Sequence, residues 1–225
     1  MLLHLCAHNP TGVDPSLEQW AAISRACAAS KVQVFFDSAY QGFASGCAER
    51  DALPFRAFVQ DGHQLLLAQS FAKNFGLYGE RVGALSAVCG SAAEKTALES
   101  QLKAIARAAY SSPPVFGARV VKTILQDAQL REQWTGECAA MAARIMDMRH
   151  ALKTKLEERG STRDWSHITA QIGMFAYTGL SSDQVLAMRA RFHVYCTQDG
   201  RISVAGLTPS NLDHVADAIH AVTSD

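Results

Sequence analysis

An excess of charge of either sign is missing: lysine plus arginine and aspartate plus glutamate both number 21 in 225 residues. Composition therefore supplies no electrostatic footprint for nucleic acid or an anionic membrane surface, and argues against both as partners. No apolar run reaches the roughly 18 residues that a membrane-spanning helix needs. Close-spaced cysteines are absent too. The six that occur (Cys6, Cys27, Cys47, Cys89, Cys138, Cys196) include no CxxC pair, so neither a metal site nor a dithiol redox motif is expected. They read as reduced core thiols of a cytosol-like compartment. The apolar opening Met1 to Ala7 lacks a basic leader and runs into His8-Asn9-Pro10-Thr11-Gly12, which suits a buried strand better than a signal segment. Repeats and low-complexity stretches are missing as well.

What is present is enough apolar material, 48% of the residues, for one sizeable core or somewhat more. Asn9-Pro10-Thr11-Gly12 is a turn signal, and Asp14-Pro15 reads as the N-cap and first-turn proline of a helix carrying Leu17, Trp20 and Ile23. Val32 to Phe36 predicts a strand buried on both faces. Leu65 to Ala68 and Val82 to Val88 predict further strands, and strands alternating with helices argue for an α/β sheet. Ser91-x-x-Glu94 predicts a capping box opening a helix through Ile105, with the next helix beginning near Pro113-Pro114. Over Arg131 to Glu158, Trp134, Cys138, Met141, Ile145, Met148, Leu152 and Leu156 recur at three- and four-residue spacing, the stripe of a long amphipathic helix. A coiled coil is the competing reading; few complementary charge pairs favour a helix linking two domains instead. Beyond Gly160 the pattern predicts a strand from Met174 to Tyr177 and a helix begun near Ser181. A hairpin turning at Asp199-Gly200 and a last helix from Thr208-Pro209 to about Val222 complete it.

In an open parallel sheet, ligands bind outside the carboxyl ends of the strands. Three expected strands end there in polar groups: His8 and Asn9, Asp37 and Tyr40, then Ser70 and Lys73. Any one of them alone could be a turn or capping residue. Lys73 stands out among the seven lysines because Phe71-Ala72-Lys73-Asn74-Phe75 surrounds it with apolar groups, where burial favours the neutral, nucleophilic amine. A lysine snorkelling to the surface is the alternative. Asp37 closes a dry strand, where an unpaired carboxylate is costly, so it calls for a cationic partner. A protonated pyridine nitrogen would serve, as would a structural ion pair.

Four strings then become specific in combination: Ala7-His8-Asn9-Pro10-Thr11-Gly12-Val13-Asp14-Pro15, Phe36-Asp37-Ser38-Ala39-Tyr40-Gln41-Gly42-Phe43, Gln69 through Gly83 (QSFAKNFGLYGERVG), and Asp199 through Leu207 (DGRISVAGL). In this order they resemble the motifs of aspartate aminotransferases, and Gln171-Ile172-Gly173-Met174-Phe175 agrees. The similarity covers essentially the whole chain. It implies pyridoxal 5'-phosphate as cofactor and Lys73 as the residue carrying it as a Schiff base and moving the substrate's α-proton. Asp37 would pair with the pyridinium, Asn9 and Tyr40 would hydrogen-bond the phenolic oxygen, and Ser70 and Arg81 would hold the phosphate. Arg201 would clamp the substrate's α-carboxylate, a two-pronged geometry that lysine cannot reproduce. Arg107 would reach the side-chain carboxylate of aspartate or glutamate across a homodimer.

The fold implied is α/β: the mostly parallel sheet of the fold-type I large domain over residues 1–130, a linking helix over 131–159, and a small α+β domain over 160–225. The resemblance also implies that the first half of the large domain lies outside these residues. That half would bring the glycine-bearing phosphate loop, the ring stacked on the cofactor and a tyrosine for the partner's phosphate. The expected activity is amino transfer between aspartate or glutamate and 2-oxo acids. Two alternatives remain open at this point: a remnant without productive cofactor binding, and an enzyme that also accepts aromatic substrates. The expected compartment is the cytoplasm, with mitochondria the other option. The chain alone is expected to expose apolar surface and to self-associate.

Overall fold

The computed structural model describes residues Met1–Ser224. They form two compact units, the first comprising Met1–Cys6, Pro15–Gly42 and Cys47–Cys138, the second Ala7–Asp14, Phe43–Gly46 and the described residues from Ala139 onward. The boundary falls inside one long helix.

The first unit is built on β1 (Leu2–His4), α1 (Leu17–Ala29), β2 (Val34–Ser38), α2 (Ala48–Asp51), α3 (Leu53–Gln60), β3 (Leu65–Ser70) and β4 (Gly83–Ala87). The sheet runs β1-β2-β3-β4, the first three strands parallel and β4 antiparallel to β3. Strand β2 carries β-branched and aromatic residues that alternate in and out. Val34, Phe36 and Ser38 are buried while Phe35 and Asp37 are only half-buried. That corrects the expectation of a strand enclosed on both faces from Val32: α1 and α3 cover one face only, and Val32 stays exposed. Trp20 of α1 and Phe58 of α3 close that face over Phe36, whose ring centroid lies 5.9 Å from Trp20 and 5.1 Å from Phe58. Each ring so buried contributes about 1.5–3 kcal/mol relative to exposure.

Helix α1 starts differently from the reading above. Its N-cap is Ser16, which forms a full capping box with Gln19. Asp14 turns the other way, and Ser16-x-x-Gln19 was the better signal. The unit continues with α4 (Ala92–Tyr110) and α5 (Phe116–Gln126). Ser91 does cap α4 by accepting from the Glu94 N–H at 3.1 Å, but Glu94 itself receives the N–H of Gly90 at 2.7 Å, so only half of the expected box forms. None of the 19 residues of α4 is buried. Ile105, Tyr110 and Phe116 are each at least 60% exposed, so apolar side chains are uncovered here.

Helix α6 (Ala128–Glu158) belongs to both units. Cys138, Ile145, Leu152 and Leu156 of the expected stripe are buried, but Met141 is 40% exposed and Ala142 takes the inward place. The second unit adds α7 (Ser166–Ala170), β5 (Phe175–Tyr177), α8 (Ser182–Phe192), β6 (Arg201–Ser203) and α9 (Leu212–Thr223). The turn at Asp199-Gly200 exists, closed by a 3.0 Å bond from Gly200 N–H to the Thr197 carbonyl. The expected hairpin does not: β6 pairs with β5, more than twenty residues earlier, with Tyr177 opposite Arg201. The β5–β6 pairing supplies the ladder that a local partner would have given.

Candidate active site

In the first unit the carboxyl ends of β2 and β3 lie side by side, Asp37 in register with Ala68 and Ser38 with Gln69. Strand alternation directs Asp37 away from the aromatic core. Tyr40, three residues on, is buried. The turn after β3 brings Lys73 to it: the Lys73 Nζ lies 4.9 Å from the centre of the Tyr40 ring. Two bonds fix this approach. Asn74 Nδ2 donates to the Gln41 carbonyl at 3.1 Å, and the Asn74 carbonyl accepts from Trp134 Nε1 at 2.7 Å. Phe71 and Phe75, on either side of Lys73, pack edge to face at 5.4 Å, and Phe75 stacks on Trp134 at 4.6 Å. The apolar residues around the lysine thus lock the turn and leave its amine half-buried rather than enclosed. Among the described residues no ion pair reaches either the Lys73 ammonium or the Asp37 carboxylate. An open cavity of about 940 Å³ borders the same turn at Gln41, Gln69, Asn74 and Trp134, but Lys73, Asp37 and Tyr40 do not line it.

Ser70 ends β3, its Oγ accepting from the Ala72 N–H at 3.2 Å. Because β4 is antiparallel, its first residue Gly83 pairs with Ser70, and Phe71 N–H reaches the Val82 carbonyl at 3.1 Å. Arg81 is thereby delivered to the sheet end that carries Ser70. The approach is tight enough to require glycine at 83, where a Cβ would lie 2.3 Å from the Gln69 carbonyl oxygen. Arg81 is exposed, adopts the left-handed conformation at φ 51°, and donates from Nη1 to the Tyr78 carbonyl at 3.1 Å. Arg107 sits elsewhere, exposed in the last turn of α4 and donating to Ser111 Oγ at 2.8 Å. No described contact joins it to the Lys73 group.

The second unit holds the other two residues singled out by sequence. Arg201 Nη1 donates to Asn9 Oδ1 at 3.1 Å, and its guanidinium lies 4.8 Å from the centre of the Phe175 ring. The loop carrying Asn9 is stapled by Asp14, whose carboxylate accepts the N–H groups of Ala7 at 2.6 Å and His8 at 2.8 Å.

The whole chain has recognisable relatives. Residues 1–219 match the family model "Aminotransferase class I and II". The chain belongs to the class I and II aminotransferases. It is 56% identical over 224 residues to a cytoplasmic aspartate aminotransferase of Oryza sativa subsp. japonica, matching 100% of this chain and 55% of that one. A mitochondrial aspartate aminotransferase of Dictyostelium discoideum is 54% identical over 225 residues, with 53% of its length covered. Among solved structures, an aromatic-amino-acid aminotransferase from Burkholderia pseudomallei with covalently bound pyridoxal phosphate superposes with a TM-score of 0.97 at 44% identity, over 99% of this chain and 55% of that one. A mitochondrial aspartate aminotransferase from Trypanosoma brucei gives 0.96 at 46% identity, over 99% of this chain and 58% of that one. The chain spans about half the length of the relatives it matches.

One buried cation escaped the sequence reading. Arg149 is fully buried in α6, donating to the carbonyls of Ile168 at 2.7 Å and Gly173 at 2.8 Å and also to that of Phe175. Burial pushes its pKa down to about 10. The signal was available: position 149 lies four residues after Ile145 and three before Leu152, squarely in the inward stripe. Among the described residues no helix is long and apolar enough to cross a membrane.

Proposed function

We propose that this chain is the part of an aspartate aminotransferase that holds pyridoxal phosphate through Lys73 and the substrate's α-carboxylate through Arg201. One observation carries the reading: a half-buried lysine without a carboxylate partner stands 4.9 Å from Tyr40 at the strand ends where Asp37 also emerges. These residues fit the cofactor by the chemistry of their groups. An amine suits its aldehyde, the unpaired Asp37 carboxylate suits a pyridinium nitrogen, and Ser70 with Arg81 suits a phosphate. When bound, the cofactor supplies an exchangeable aldehyde and an electron-withdrawing ring. Lys73 Nζ, once released, is the base that moves the proton at the substrate's α-carbon. Asp37 keeps the ring nitrogen protonated, and Tyr40 and Asn9 donate to the phenolic oxygen. Arg201 orients the substrate as a planar fork, with Asn9 and the Phe175 ring fixing the guanidinium.

The complete polypeptide, meaning this chain with whatever its coding sequence places on either side, provides the test. Mixed with pyridoxal phosphate and desalted, it should keep a visible absorbance band, and borohydride should fix the cofactor to the Lys73 peptide. Cofactor lost on desalting would remove the reading. We further propose a homodimer in which Arg107 of each copy serves the other's substrate, and a reducing compartment, the cytoplasm, in which the six cysteines stay as thiols. Arg107→Asp should lower kcat/KM for aspartate by on the order of a hundredfold, as repulsion replaces attraction, and raise it for cationic amino acids. Unchanged aspartate turnover would take Arg107 out of substrate binding. Assaying phenylalanine and tyrosine alongside separates an aspartate enzyme from one that also accepts aromatic substrates.

A further inference from the structure

Arg149 is a buried cation whose partners are backbone carbonyls, with no carboxylate in ion-pair range among the described residues. A packed apolar residue would stabilise a helix at that place with less desolvation. What the guanidinium does instead is gather three carbonyls of one turn, Ile168, Gly173 and Phe175, into a single planar fork. Three other features of that turn lead to the Asn9–Arg201 pair. The Ile172 N–H donates to the Gly12 carbonyl at 2.8 Å, tying the turn to the loop that carries Asn9. Gly173, at φ 84°, lies against Ala7 of the same loop so closely that a Cβ would meet the Ala7 Cβ at 2.7 Å. Phe175, whose carbonyl Arg149 holds, is the ring packed against the Arg201 guanidinium. Its strand is also the hydrogen-bonding partner of the strand that begins at Arg201.

We infer that Arg149 is a positioning residue for Arg201 and Asn9: by holding the 168–175 turn it sets the orientation of the carboxylate-binding guanidinium from both sides. The inference rests on the reading of Arg201 as the carboxylate ligand. A lysine in its place would keep a charge but could not hold three carbonyls in one plane. The turn would then relax, and the fork of Arg201 would meet the carboxylate out of plane.

The test uses the complete polypeptide loaded with pyridoxal phosphate and succinate, a dicarboxylate without an amino group, as the probe, with its Kd measured by calorimetry. Arg149→Lys should weaken succinate binding about tenfold and raise KM for aspartate by a similar factor, with kcat changed less. If Arg149 only stabilised the fold, Tm would fall while the folded protein bound succinate with unchanged Kd, and that result overturns the inference. Phe175→Leu leaves every Arg149 bond in place and removes only the ring through which the turn meets Arg201, so it tests that required link even where Arg149→Lys does not fold. It should weaken succinate roughly threefold with little change in Tm, and an unchanged Kd there likewise overturns the inference. Arg201→Lys is the control for the underlying reading. If it fails to weaken succinate, Arg201 is not the carboxylate ligand and there is nothing for Arg149 to position. If it weakens binding while both other variants do not, the ligand stands and the positioning role falls.

Discussion

Lys73→Ala in the complete polypeptide should yield a protein that keeps no visible band after desalting and loses amino transfer by more than about 10⁴-fold, since the proposed reading gives this one residue both the covalent attachment and the proton transfer. Folding should barely change. The side chain is half-buried and its described contact is the Tyr40 ring, while the turn is held by Asn74, Phe71 and Phe75. Lys73→Arg should fail in the same way, because a guanidinium stays charged and is a poor nucleophile. Absorbance, borohydride trapping and peptide mass read the outcome. Cofactor fixed by borohydride in the Lys73→Ala protein would assign the attachment to another amine.

Asp37→Asn keeps the size of the side chain and removes its charge, and amino transfer should drop by about 10²–10³, the range seen when one preorganised electrostatic group is lost. Stability should move by less than about 1 kcal/mol. The bond that Asp37 gives the sheet, its carbonyl accepting from Leu5 N–H at 2.8 Å, belongs to the backbone and survives the substitution. A single-turnover measurement beside a thermal melt separates the two effects. An unchanged rate would leave Asp37 as a strand-end residue without a role toward the ring.

Much of this was legible in the chain because the groups concerned sit at strand ends, where period-two alternation gives way to polar residues. Asp37, Ser70 and Lys73 are found that way without any structure, and β2, β3 and β4 lie within two residues of where their apolar runs put them. What failed did so where two local signals competed. Asp14 and Ser16 both qualify as caps; the capping box with Gln19 won the helix, and Asp14 was free to staple the Asn9 loop. The segment before Asp199 reads as half a hairpin, yet β6 found its partner in β5, a long-range choice that no local spacing encodes. Arg149 was passed over for another reason. A charged residue inside an apolar stripe is ordinarily discounted as an imperfection of the pattern, and its three carbonyl partners lie 19 to 26 residues away in the chain. The Arg201–Asn9 bond, spanning 192 residues, was equally invisible to spacing, and only the resemblance put both residues on the substrate side of the chemistry.

Arg81 occupies a backbone conformation that suits glycine. A side chain there carries roughly 1–2 kcal/mol of strain, whereas glycine would give back about 0.5–1 kcal/mol through the looser unfolded chain. The exposed bond to the Tyr78 carbonyl changes that balance little. Arg81→Gly should therefore melt at the same temperature as the parent or slightly above it, while binding pyridoxal phosphate more weakly. A library of variants sorted only for heat resistance would drift toward glycine at this position, and the hardiest clones would be those that had discarded the side chain proposed to hold the phosphate.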